Sequence, residues 1–151
     1  MPPTPATPED IPQLCGLLAI LFTGEVEFAP DAEKQAAGLR AILSDPAPGI
    51  ILTAREGGEI VGMVILLFTV STFLGGRVAL LEDMIVRPRH RGKGHGARLL
   101  RAAIDHATTA GCRRITLLTD AANAEAKAFY RRAGFVESSM TPLRLMLPLG
   151  E

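Results

Sequence analysis

Two short stretches of this 151-residue chain hold side chains whose types and spacing could do chemistry. The first runs LLEDMIVRPRHRGKGHGARLL over residues 80–100 and passes from a hydrophobic run into a basic, glycine-rich segment. From Met84 to Ile104 there is no carboxylate, yet Arg87, Arg89, Arg91, Lys93, Arg98 and Arg101 all fall there, in a chain of zero net charge. Glycines such as Gly92, Gly94 and Gly96 let a backbone turn tightly and aim successive N–H groups into one concavity. A helix that starts there adds its free terminal amides and the positive end of its dipole. That combination suits an anion, a phosphate above all. Just upstream stand Glu82 and Asp83, which could take a proton or hold a cation. The second stretch carries Asn123 and Tyr130, the only tyrosine in the chain.

These residues need elements to place them. Residues 77–86 read as the strand that feeds the basic loop. Residues 97–110 read as the helix that leaves it, with Gly111 as the stop, and 115–119 as the next strand. This is a β-α-β unit, so its two strands should be parallel. Earlier, Thr7-Pro8-Glu9-Asp10 has the signals of a helix start, and Leu14, Leu17, Leu18, Leu21 and Phe22 follow at helical spacing. A second helix is expected over 31–43, with Glu25, Glu27 and Asp31 making an acidic loop before it. Two strands, 50–55 and 60–71, flank the hairpin turn Glu56-Gly57-Gly58-Glu59, and the second is apolar enough to be buried on both faces. Asn123 can cap a helix running to Ala133, with Gly134 as its left-handed end, and strands over 135–137 and 143–147 close the chain. The expectation is one α/β (α+β mixed) domain over 1–151, with 1–8 as a loose or extended lead-in. Its sheet should be mixed and mostly antiparallel, with a central β-α-β crossover and helices on both faces.

Three anion-binding patterns compete for the loop. The spacing GxxxxGK[ST] does not occur. GxGxx[GA] fits Gly92, Gly94 and Ala97, but a dinucleotide fold needs more β-α units than the remaining chain can supply, and its acidic residue about 20 positions on is missing. The third pattern is more specific. The run from Val86 to Gly94 resembles the [QR]xxGx[GA] loop of the GNAT N-acetyltransferase superfamily, with Arg89, Gly92 and Gly94 in the defining places. Asn123 and the run AFYRRAGF from Ala128 to Phe135 resemble that family's Asn…FYxxxGF signature. The order of elements is also similar to the family's.

The resemblance implies acetyl-CoA as cosubstrate, and the spacing of the histidines calls for no metal. By that likeness the amides from Gly92 to Ala97, those of Lys93, Gly94, His95 and Gly96 among them, hold the pyrophosphate, and Arg89 and Arg91 also bind the cofactor. Met84, Ile85 and Val86 pair main-chain groups with the pantetheine arm, in a slot opened by a bulge and by divergence from the next strand. Asn123 and Tyr130 bind from the other side. The resemblance makes the Ile85 N–H the candidate oxyanion donor and Tyr130 the donor to the departing thiolate.

An alkyl amine with a pKa near ~10.4 is cationic at neutral pH, so something must take its proton. Glu82 or Asp83 could do so, directly or through water. Glu82 is favoured by likeness to polyamine acetyltransferases, and Asp83 stays open because glucosamine-phosphate acetyltransferases carry a similar Glu-Asp pair. Strand alternation puts the two on opposite faces unless a bulge changes the parity. The implied activity is that of an acyltransferase moving an acetyl group to a primary amine of a small molecule, by direct attack in a ternary complex. A protein or peptide acceptor is the second reading. A non-catalytic CoA-binding or nucleic-acid-binding module is a third.

Composition narrows the field. At 48% apolar and 21% charged the chain is ordinary globular material. Zero net charge, one tyrosine and no tryptophan argue against nucleic acid as the partner. No apolar run approaches the roughly 20 residues of a membrane span, and MPPTPATPED has no basic n-region. Cys15 and Cys112 have no ligand spacing, and neither do His90, His95 and His106. A reduced, cytoplasmic enzyme, as a homodimer by family likeness, is the expectation.

Overall fold

The computed structural model describes residues 1–24 and 31–148, in two compact units, Met1–Leu118 and Thr119–Glu151. Glu25 and Glu27 of the expected acidic loop lie outside the described residues.

The first unit is a five-stranded sheet in the spatial order β1-β2-β3-β4-β5. The expected lead-in is not loose throughout, because Thr4–Pro5 forms β1 and pairs antiparallel with β2, Gly49–Glu56. The Ala6 N–H donates to Ile51 O at 2.8 Å, and the buried Thr53 hydroxyl donates to Thr4 O at 2.9 Å. Proline is tolerated on such an edge strand. A single 3-10 turn, Pro8–Asp10, leads into α1, Ile11–Thr23. Asp10 ties this start to the sheet: its carboxylate accepts from the Thr7 N–H at 2.9 Å and from Arg55 at 2.7 Å. Helix α2, Ala32–Ile42, begins at Asp31, whose side chain accepts from the amides of Glu33 and Lys34.

The apolar strand is β3, Glu59–Ser71, and most of it is buried as its composition predicts. It pairs antiparallel with β2 and with β4, Gly76–Val86. Met63 and Ile65 pack with Leu14, Leu17, Leu18 and Leu39 of α1 and α2. The other face belongs to α3, His95–Thr109: a Cβ placed on Gly62 would lie 3.0 Å from Leu99 Cδ1. Neighbouring residues of a strand point to opposite faces, so helices cover the sheet on both sides. Strand β5, Ile115–Leu117, then runs parallel to β4 and completes the β-α-β crossover.

In the second unit α4 spans Ala124–Arg132. The two closing strands expected over 135–137 and 143–147 do not form. Instead the chain after α4 turns back on the helix. Gly134 adopts φ +105°, the Phe135 N–H bonds Tyr130 O at 3.2 Å, and Glu137 meets Lys127 at 2.7 Å. These ties hold residues 135–137 to the helix and out of the extended ladder that a strand needs.

Candidate active site

Strand β4 carries most of the site. Opposite Val64 the register slips: Met63 pairs with Ile85, but Ile65 pairs with Glu82. One extra residue is therefore inserted in β4, and it bends at Asp83, which has φ +53°. Aspartate is among the few non-glycine residues that tolerate this left-handed region. Parity changes as a result. Residues paired across a ladder share a face, so Glu82 lies on the side of Ile65, facing α1 and α2. Asp83 lines a cavity on that same side, together with Leu18, Phe22, Leu39, Ile42 and Ile65. The bulge thus sets Glu82 and Asp83 on one face, where plain strand alternation would have put them on opposite ones.

Beyond the bulge β4 loses its second neighbour. Pairing with β5 covers only Ala79–Leu81, so nothing in β5 pairs with Met84, Ile85 or Val86. The Arg87 N–H bonds Val61 O at 2.8 Å. Alternating back along the strand turns the amide of Ile85 toward β3 as well, and leaves Met84 and Val86 facing the open edge. The register therefore turns the Ile85 N–H toward β3 and away from the open edge. Val86 O, on the open side, accepts from Arg91 Nε at 3.0 Å.

The loop after β4 makes a 3-10 turn over Pro88–His90 and two left-handed glycines, Gly92 at φ +80° and Gly94 at φ +85°. Gly94 is the N-cap of α3. The first helical bond, from the Arg98 N–H to Gly94 O, is 3.1 Å long, so the amides of His95, Gly96 and Ala97 precede it and open outward. The motif spacing also fits a second register, Arg91, Gly94 and Gly96. Geometry supports that register: Arg91 closes the loop onto Val86, whereas the Arg89 side chain is 75% exposed and reaches Glu59 at 3.3 Å.

The acids that brace this loop come from far away in sequence. Glu56 and Glu59 end β2 and begin β3, and the hairpin sets both carboxylates beneath the basic segment. Glu56 lies 2.7 Å from His95 Nε2, 3.3 Å from Lys93 Nζ and 3.1 Å from His90 Nδ1. The hydrogen bond with His95 leads the contacts that pull its carboxyl down to about 2. Glu59 meets Arg89 and, at 3.7 Å, Arg87. His90 sits between the two glutamates, 13% exposed, near both but aligned for a hydrogen bond with neither. His90 and His95 are therefore packed against acids instead of facing solvent. Sequence reading saw Glu56 and Glu59 only as turn residues, because no local signal links them to residues 90–95.

In the second unit Asn123 Oδ1 accepts from the Ala126 N–H at 2.9 Å and so caps α4. Tyr130 stands edge-on to Phe129 and Phe135, with ring centroids 5.1 and 5.7 Å away. Burial pushes its phenol up to about 12, so it keeps its proton throughout the neutral range. Among the described residues no cluster of three or more His, Cys, Asp or Glu is arranged to hold a metal ion, and no helix is long and apolar enough to cross a membrane.

Residues 12–135 match the family model described as the acetyltransferase (GNAT) family. The chain belongs to that family. It is 37% identical, over 81% of its length and 83% of the relative's, to the uncharacterized N-acetyltransferase YhfO of Bacillus subtilis. It is 29% identical to the aminoalkylphosphonate N-acetyltransferase of Salmonella typhimurium, over 88% of this chain and 83% of that protein. Among solved structures, an integron cassette protein from the mobile metagenome of Cole Harbour Salt Marsh superposes with a TM-score of 0.84 at 30% identity, covering 98% of this chain and 91% of that one. The GNAT chain described here is accordingly an acyltransferase of the N-acetyltransferase class, and its family uses acetyl-CoA as cosubstrate.

Proposed function

We propose that the protein transfers the acetyl group of acetyl-CoA to the primary amine of a small molecule, by direct attack in a ternary complex. The observation that carries this reading is the division of β4. Its C-terminal end feeds the amide-rich basic loop, and its bulge places Asp83 on the wall of a partly open pocket. Hydrocarbon side chains around one sheet-side carboxylate suit a compact amine.

In this mechanism the amides of Gly92 to Ala97, with Arg91 and Lys93, hold the CoA phosphates. The arm runs from there along the open edge of β4, so Val86 meets it first and Met84 stands at the thioester end. The Met84 N–H then replaces Ile85 as oxyanion donor. Asp83 receives the ammonium group, and Asp83 or the neighbouring Glu82 takes the proton released before attack. The amine nitrogen bonds the carbonyl carbon, the C–S bond breaks, and the electron pair leaves on sulfur. Asn123 contacts the cofactor, and Tyr130 donates a hydrogen bond to the departing thiolate. With a phenol near 12 and a thiol near ~8.5, complete proton transfer is uphill by roughly three powers of ten. Hydrogen bonding is the larger part of the role of Tyr130.

The first experiment is a thermal-shift titration with acetyl-CoA, with NAD as control. Ligand at a hundred times its Kd adds ~2.7 kcal/mol, and the melting point should rise by roughly 5–10 °C. A rise with NAD and none with acetyl-CoA would overturn the reading. On family likeness we also propose a cytoplasmic homodimer, which light scattering tests directly.

A further inference from the structure

The cavity beneath the bulge has a volume of about 310 Å³, and its described lining is part hydrocarbon and part polar. Leu18, Phe22, Leu39, Ile42 and Ile65 supply hydrocarbon, and Asp83 stands on the sheet side. On the helix side Gln35 also lines it. Gln35 is only 8% exposed, and its amide nitrogen, itself buried, has no hydrogen-bond partner. A buried donor without a partner is costly, and an acceptor oxygen in the cavity would meet that need. Lys34 and Asp31 stand at the exposed mouth, where Asp31 is already occupied in capping α2. Gly38 completes the helix wall, and a Cβ there would touch nothing within 4 Å.

We propose that the acceptor is a monoamine with a compact apolar body and a single uncharged hydrogen-bond acceptor, such as a carbonyl or hydroxyl oxygen. This rests on the acetyltransfer reading above. The ammonium group would face Asp83, the hydrocarbon would fill the space between the leucines and isoleucines, and the oxygen would accept from Gln35 Nε2. Sugar phosphates and polyamines fit poorly. Their hydroxyls, phosphates or second ammonium groups would be stripped of water against the hydrocarbon of Leu18, Leu39, Ile42 and Ile65. Sites that hydrogen-bond a substrate group discriminate strongly in its favour, whereas hydrocarbon walls discriminate by about tenfold or more per methylene.

The test measures CoA thiol release by the full chain with leucinamide, isopentylamine, glucosamine 6-phosphate, an aminoalkylphosphonate and spermidine. Acetyl-CoA affinity is measured separately by calorimetry. Leucinamide should exceed the sugar phosphate, the phosphonate and spermidine at least tenfold in kcat/KM. Gln35→Leu should cost leucinamide roughly tenfold and leave isopentylamine unchanged or improved. Gly38→Leu, which replaces glycine with a better helix former, should lower kcat/KM for both amines while acetyl-CoA affinity stays within twofold. A preference for the sugar phosphate, the phosphonate or spermidine would overturn the proposal. So would indifference of leucinamide turnover to both substitutions. Acetyl-CoA binding with turnover of none of the five amines would sink the acceptor class and leave the cofactor reading standing. Failure to bind acetyl-CoA at all would remove both.

Discussion

Single side chains carry the most direct tests. Tyr130→Phe keeps the ring between Phe129 and Phe135 but deletes the donor. Turnover should fall roughly 10- to 100-fold while the Kd for acetyl-CoA changes less than threefold. Equal losses in both, from single-turnover kinetics and calorimetry, would reduce Tyr130 to a packed aromatic. Because its phenol stays protonated up to about 12, the alkaline limb of the rate profile should not bend near pH 10 on its account. Asp83→Asn and Glu82→Gln separate the two carboxylates. The variant that loses the acidic limb of the kcat/KM profile identifies the base, and the other should raise KM for the amine or do little. The sequence made both carboxylates visible as the acids beside the cofactor strand. It could not say that they share a face, because the inserted residue at Asp83 has no signature in residue type.

The element that matters next is the loop and its brace. Gly94 is left-handed, and an added Cβ would come 2.8 Å from Arg98 Nη1. Gly94→Ala should therefore cost ~1–2 kcal/mol and weaken acetyl-CoA more than it weakens the fold, which calorimetry and melting together reveal. The brace has a pH signature. Glu56 titrates at about 2 in the fold, against an ordinary 4.5. A depressed carboxyl stabilises the fold above its ordinary value and loses that contribution as pH falls toward the folded one. The melting-point gap between the wild type and Glu56→Gln should thus be full at pH 5 and shrink steadily down to pH 2. A constant gap would mean that the carboxylate charge contributes nothing. The basic loop itself was legible from composition and glycine spacing. Its acidic partners were not, since they arrive through a hairpin 37 and 39 residues away that only the folded sheet reveals.

At the scale of the molecule, hydrophobic periodicity and turn residues were enough to anticipate helices α1 to α4, strands β2 to β5 and the parallel β4–β5 pair. The closing strands failed where pattern alone misleads. Leu143, Leu145 and Leu147 alternate as a strand should, yet a strand exists only where another backbone offers its bonds, and alternation does not name a partner. The bulge at Asp83 has one more consequence. On the proposed reading, the cofactor edge at Met84 and Val86 and the acceptor cavity at Asp83 are built by adjacent residues of β4. Whatever fixes the backbone at Met84 and Val86 also fixes the carboxylate of Asp83. Two ligands that draw on one stretch of chain are thermodynamically linked, and the linkage is reciprocal. If the amine tightens binding of a non-hydrolysable acetyl-CoA analogue by some factor, the analogue must tighten the amine by the same factor. A single-residue insertion in one strand would then be the coupling between the two substrates, and deleting Asp83 should abolish that mutual dependence even where each ligand still binds alone.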